Sequence, residues 1–313
     1  MRGVMTAVAA ACAILSAATT GQAQMRRGPE FFPNLPVVNQ NGETLKFYDD
    51  LIKDKIVVIM FIYTSCTDIC PLTTARMTLV EDRLGDKLGK EIFIVSMTVD
   101  PDVDTPEKLK AYSKAFATGP GWTFVTGKRD DIRAINYRLG ERSKVLSEHR
   151  NEIVLGNDVT GEWQRDNLMG DLDRVVRTIR EMDPKYRDQA RAVPRNAAMD
   201  TGLAMSTQPG QAMYKKICTP CHTIGVGDKV GPDLRGVTER RERAWLVSYL
   251  RNPVAMAKSD PVARELAARY APISMPNMRL SEQDADDLIS FLHQENAKLV
   301  EAPAPSRPHE HKH

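Results

Sequence analysis

The chain has 313 residues, a formal net charge of +2, 42% hydrophobic residues and 27% charged ones. That length suits about two domains, and the balanced charge excludes an electrostatically driven binder of nucleic acid or of an acidic membrane surface. Of five cysteines, Cys66/Cys70 and Cys218/Cys221 form two close pairs and Cys12 lies near the start, so none is left over for stapling and the thiols are there for chemistry or ligation.

Residues 1–23 open with Arg2, continue through an Ala-rich apolar run, Val4 to Thr20, and end in Gly21-Gln22-Ala23. This is the pattern of a cleaved export signal, and the expected compartment is the periplasm; as a membrane anchor the run is short and weakly apolar. From 31 to 182 strand and helix signals alternate. The run "KIVVIMFIY" (55–63) reads as a strand buried on both faces, and "PLTTARMTLVEDRLGDKL" (71–88) as a helix with Pro71 in its first turn. A second buried strand is expected at 91–99, and a helix at 105–117 with Thr105 as N-cap and Pro106 behind it. A short strand (121–127), a helix closed by Gly140 (129–140), a hairpin turning at Asn157-Asp158 (151–163) and an amphipathic helix (170–182) complete the unit. Strands alternating with helices predict an α/β layer around a largely parallel sheet.

Cys66 and Cys70 have three residues between them and stand between the first apolar strand and its helix. Sheet proteins of this kind place their sites at the carboxyl ends of central strands. Both sulfurs can face one pocket there, and the positive helix end favours thiolates. Three chemistries fit: a dithiol–disulfide couple, a metal site, and a plain structural disulfide. Two soft thiolates with an imidazole would suit copper. His149 is the one histidine before residue 218, and spacing alone is a weak reason to choose it.

Residues 183–206 show no sustained period and read as a linker. From 207 to about 297 the pattern is helical, and it contains Cys218-Thr219-Pro220-Cys221-His222. That is the attachment signature of a c-type haem, in which two thiols add to the porphyrin vinyl groups and the adjacent imidazole reaches the iron. Ser281 with Asp284 forms a capping box opening a last helix, striped by Leu288, Ile289, Phe291 and Leu292. Residues 298–313 are Pro-rich, then carry His309, His311 and His313, and are expected to be a disordered tail. Arg240, Arg241 and Arg243 offer a charged patch for a redox partner, and His293 reads as a surface residue.

Residues 207–297 resemble a small class I cytochrome c domain, on Cys218, Cys221, His222, Gly231-Pro232, Leu234 and Met275-Pro276. The resemblance implies haem c, with Met275 as the distal iron ligand beside His222 and Met278 as the alternative. Such His/Met ligation suits electron transfer, with respiratory donors or acceptors as partners. Residues 31–182 resemble the Sco (SenC) family, on "YTSCTDICP", "VDPDVDTPEKLKAYSKAF", "GWTFVTG" and His149. That likeness implies a thioredoxin-like fold, copper held by Cys66, Cys70 and His149, and a role at the CuA centre of cytochrome c oxidase subunit II. The expected whole is an α/β thioredoxin-like domain followed by a small all-α cytochrome c domain. Copper delivery or copper/thiol redox is the leading function. A haem-linked thiol–disulfide or peroxide reductase, with Cys66 and Cys70 as the catalytic pair, is the alternative.

Overall fold

The computed structural model describes residues 28–149, 151–192 and 208–301. The expected export signal, Cys12, most of the expected linker and the histidines of the tail lie outside the described residues.

The first unit is a seven-stranded sheet in the order β2-β1-β5-β4-β3-β6-β7. Its strands are β1 (Pro36–Asn39), β2 (Thr44–Lys46), β3 (Ile56–Ile62), β4 (Ile92–Thr98), β5 (Trp122–Thr126), β6 (Glu152–Asn157) and β7 (Glu162–Asn167). Strand β3 lies inside the sheet, between β4 and β6. Its Val58, Met60 and Ile62 enter one buried cluster and its Val57, Ile59 and Phe61 another, which is what a period-2 backbone does with an unbroken apolar run.

Helices α1 (Cys70–Leu84), α2 (Pro106–Ala115) and α4 (Leu172–Glu181) cover the first face through Met77, Leu109 and Val175. Helix α3 (Arg129–Arg138) and wide π-type turns at Phe47–Ile52 cover the second through Ile132, Ile135 and Phe47. The local signals explain the ends: Thr105 Oγ1 accepts the Lys108 N–H at 3.4 Å, and Gly140 closes α3 at φ +87°.

The expectation of a largely parallel sheet is corrected. Only β3–β4 and β4–β5 run parallel, while β1–β2, β1–β5, β3–β6 and β6–β7 are antiparallel. Hairpins at both edges, β1–β2 and β6–β7, wrap a parallel centre, giving a mixed thioredoxin-like sheet. Nor is the stretch after 182 irregular from its start. Helix α5 (Pro184–Ala192) opens it, and Arg187 on that helix pairs with Glu162 of β7 at 3.1 Å.

The second unit is helical: α6 (Gln211–Met213) continued by wide turns Tyr214–Cys218, then α7 (Val237–Arg240), α8 (Arg243–Arg251), α9 (Pro253–Ser259), α10 (Pro261–Arg269) and α11 (Glu282–Glu301). The first and last helices cross at Gly210, where any Cβ would strike the Asp287 carbonyl. Tyr214 and Phe291 meet beside that crossing with ring centroids 5.2 Å apart. The Ser281–Asp284 box forms in both directions, Asp284 N–H to Ser281 Oγ at 3.1 Å and Ser281 N–H to Asp284 Oδ2 at 2.9 Å. Among the described residues no helix is long and apolar enough to cross a membrane.

Candidate metal centre and haem pocket

Strand β3 ends one residue before Tyr63, and the chain then turns through Cys66 into α1, whose first residue is Cys70. His149 arrives from the other side, just after a short 3-10 turn (Leu146–Glu148) and ahead of β6. The three side chains converge although His149 stands 79 residues beyond Cys70 in the chain: Cys70 Sγ lies 3.1 Å from His149 Nε2. All three donor atoms fall within 4.8 Å of one another, and all three residues are buried. Two sulfurs and one imidazole nitrogen at that separation are a three-donor set for a soft ion.

The two thiols are electrostatically unlike. A hydrogen bond from the Cys70 thiol holds the Cys66 thiol well below its ordinary range against the cost of burial, with His149 and Tyr63 adding to it. Burial pushes Cys70 up, and the neighbouring Cys66 adds to the rise. Near neutral pH the pair therefore shares one proton, held on the Cys70 side.

Two supporting residues carry no local signal as such. Tyr63 sets its ring edge-on to the His149 imidazole, centroids 5.5 Å apart, and burial, with Cys66 beside its hydroxyl, raises its pKa. Asp104 is fully buried and accepts from the Thr64 N–H at 3.0 Å, the Thr64 hydroxyl at 2.5 Å and the Thr98 hydroxyl at 2.6 Å. It pins the start of the cysteine loop to β4. Its motif, Asp104-Thr105-Pro106, is visible in the sequence, but its partner forty residues upstream is not.

In the helical unit Cys218, Cys221 and His222 line a cavity of about 430 Å³ whose wall also includes Gly231, Leu246, Leu288, Ile289 and Met275. Met278 is not among its lining residues, whereas Arg240 and Arg241 are. Arg243 instead pairs with Asp286 at 2.6 Å, and His293 is exposed beside Glu239.

The residues present fit a c-type haem. Both thiols are unpaired, and His222 Nδ1 sits 2.9 Å from the Pro232 carbonyl. A carbonyl only accepts, so Nδ1 carries the hydrogen and Nε2 keeps its lone pair for the iron. Burial also pushes the imidazole pKa down, which favours that neutral form. Asp233 shapes the same loop: burial raises its pKa, but the N–H groups of Gly225, Arg235 and Gly227 outweigh it and hold the carboxyl at about 2.

Gly231 is the closest constraint on the imidazole, because a Cβ there would lie 2.6 Å from His222 Cε1. Gly231→Ala must tilt the ring or move the loop, at a cost of about 1–3 kcal/mol. The expected result is a lower melting temperature of the haem-loaded chain together with an altered Soret band, read by absorption during thermal unfolding.

Comparisons with known proteins agree with both halves. Residues 23–162 match the SCO1/SenC family model and residues 207–296 the cytochrome c family model. The SCO2-like protein of Rickettsia felis is 37% identical over 99 residues, 32% of this chain and 46% of that protein. The chain spans about half the length of the curated relatives it matches. Copper-bound ScoI of Bradyrhizobium japonicum aligns at 22% identity over 47% of this chain and 96% of that one, with a TM-score of 0.40. Cytochrome c from Rhodothermus marinus aligns at 32% identity over 29% of this chain and 77% of that one, with a TM-score of 0.28. Within this chain, residues 23–162 are thus a SCO1/SenC domain and residues 207–296 a cytochrome c domain.

Proposed function

We propose that this is an exported copper-handling protein that loads one copper ion on Cys66, Cys70 and His149 and serves the CuA centre of cytochrome c oxidase subunit II. The observation that carries the reading is the convergence of those three donor atoms within 4.8 Å in a SCO1/SenC domain. Copper is cargo in this reading. It enters a pocket with one thiolate ready, displaces the shared proton from Cys70, and gains the His149 nitrogen as third ligand. The leader-like residues 1–23 and the thioether chemistry of the haem motif point to the periplasm.

Covalently held haem supplies one-electron redox chemistry. The chain would hold it through Cys218 and Cys221, with His222 Nε2 free to take the iron and Met275 lining the same cavity. Copper changes state by one electron and a disulfide by two, so a single haem matches copper better than a dithiol. The reductase reading keeps one point in its favour, the lowered Cys66 pKa. That thiol is only 5% exposed, which a substrate disulfide or peroxide would find hard to reach.

The experiment is a copper titration of the reduced, haem-loaded protein. One copper per chain, lost in Cys66→Ser, is the expected result. Turnover of a disulfide or peroxide by metal-free protein, without copper binding, would replace this reading with the reductase. Met275→Ala is expected to lower the haem potential and open the iron to added imidazole, because a His/Met pair raises potential and closes the site. Met278→Ala should leave the ligand-binding spectrum unchanged.

A further inference from the structure

The two domains meet at the rim of the thiol–imidazole pocket. Pro71, the residue after Cys70, is itself part of the wall of the haem cavity. The loop between the two cysteines touches the loop that carries Met275: the Asn277 N–H donates to the Thr67 carbonyl at 3.1 Å, and Arg279 pairs with Asp68 at 2.9 Å. Ile273, two residues before Met275, is 6% exposed and belongs to the same buried cluster as Ala75 and Met77 of α1, with Cys221 and Val230 packed against it. Arg76 on α1 is 4% exposed and divides its guanidinium among the carbonyls of Leu168 (2.5 Å), Gly170 (2.7 Å) and Lys216 (2.6 Å), the last from the haem-bearing segment.

Resting on the copper reading, we propose that Thr67 and Asp68 are positioning residues for the distal side of the haem. Both lie between the two thiol ligands, and both are tied to residues two and four positions beyond Met275. A change at the thiols moves a loop whose opposite face is already fastened. The displacement is passed to the Met275 loop. Arg279 shows how closely that loop is held: it takes a left-handed backbone, φ +53°, with its N–H on Asn277 Oδ1 at 2.9 Å, a conformation unfavourable for a non-glycine residue. The Asp68–Arg279 pair is exposed and contributes little energy of its own. The buried Ile273 and Arg76 supply the rigidity, and the pair supplies the register. Linkage makes the effect reciprocal: if metal at the thiols shifts the haem potential, haem oxidation shifts metal affinity by the same factor.

The test uses the full haem-loaded chain and Ag(I), a soft d10 ion that thiolates bind and that leaves a ferric haem without an electron to exchange. The readouts are bound silver per chain, the red Met–iron absorption band of the ferric haem, and the haem midpoint potential. One equivalent of Ag(I) is expected to perturb the band and to shift the potential by about 59 mV, the one-electron equivalent of a tenfold coupling. Arg279→Asp, which sets two carboxylates against each other, should cut that shift at least by half, and Asp68→Arg with Arg279→Asp should restore it. Arg76→Met is the buried counterpart. The same comparison is made without metal between the reduced protein and one treated with diamide, in which Cys66 and Cys70 join as a disulfide and pass two electrons and two protons to the reagent. A haem that is silent to both silver and disulfide overturns the proposal. Failure of silver and copper to bind, with the disulfide still shifting the haem, overturns the copper reading and leaves the loop coupling standing.

Discussion

On the proposed copper reading, Cys66→Ser and Cys70→Ser should each lower Cu(I) affinity by over about 100-fold, since loss even of an outer-shell partner costs 10–100-fold and here a ligand itself would be removed. Serine offers a harder oxygen that stays protonated at neutral pH, so the soft ion gains nothing from it. His149→Ala behaves differently. Two thiolates remain, a pair that Cu(I) accepts without a third ligand, whereas Cu(II) loses the imidazole that suits it. The expected pattern is therefore loss of both oxidation states in either cysteine variant and selective loss of Cu(II) in the histidine variant. The pH dependence follows from the unequal thiols. Cys66 is depressed by its hydrogen bond from Cys70, so above its lowered pKa it gives up no proton on binding. Cys70 is raised by burial and by Cys66, so below its pKa it must give up one. Affinity should rise about tenfold per pH unit through the neutral range and more steeply only where Cys66 also becomes protonated. Competition with a chromophoric Cu(I) chelator at several pH values reads both slopes, and a flat profile would mean that copper displaces no proton from the pair, so that both thiols are already ionised.

Much of the site was legible because its signals are local. An unbroken apolar run such as 56–62 can only be buried on both faces, and the Cys-Thr-Pro-Cys-His segment carries its chemistry within five residues. Thr105-Pro106 announces a helix start, and the Ser281–Asp284 box another. What escaped is non-local or directional. Strand β6 is buried on both faces, with Ile153 and Leu155 in one cluster and Val154 in the other, yet nothing in its composition says that it runs antiparallel to β3. The β1–β2 hairpin had a usable cue, Asn41-Gly42 between Val38 and Leu45: the Gly42 N–H bonds the Asn39 carbonyl at 3.0 Å and Gly42 takes φ +84°, the left-handed position that follows the turn in a bulged hairpin. The helix at 184–192 has a weak pattern of its own and is held partly by Arg187 on Glu162. Arg76 reads as one more charged residue in an amphipathic helix; its three carbonyl acceptors lie 92 to 140 residues away, two of them brought to it by the fold of its own domain and the third, Lys216, by the second domain.

Asp104 is where the same logic gives its largest effect on stability. Asp104→Ala removes the acceptor for three hydrogens in a fully buried place. The two hydroxyls can rotate toward other acceptors, but the Thr64 N–H is fixed by the backbone, and an unsatisfied buried donor costs about 1–3 kcal/mol by itself. With the lost hydroxyl bonds the total is about 3 kcal/mol, which for a domain of this size lowers the melting temperature by about 6–12 °C. Asp104→Asn separates charge from shape. Its carbonyl can still accept from both Thr64 groups, while its amide can donate to Thr98 Oγ1, which already accepts the Asp100 N–H at 2.9 Å and has a second lone pair free for the purpose. The asparagine variant should therefore recover most of the melting temperature. If Asp104 acts only on the fold, Cu(I) affinity recovers with it. If the pinned Thr64 sets the direction of the Cys66 loop, the alanine variant loses copper affinity even at temperatures where it is fully folded, because a thiol displaced by a fraction of an ångström no longer shares a pocket with Cys70 and His149. Measuring both quantities on the same preparations decides between a residue that merely stabilises β4 and one that aims the metal ligands.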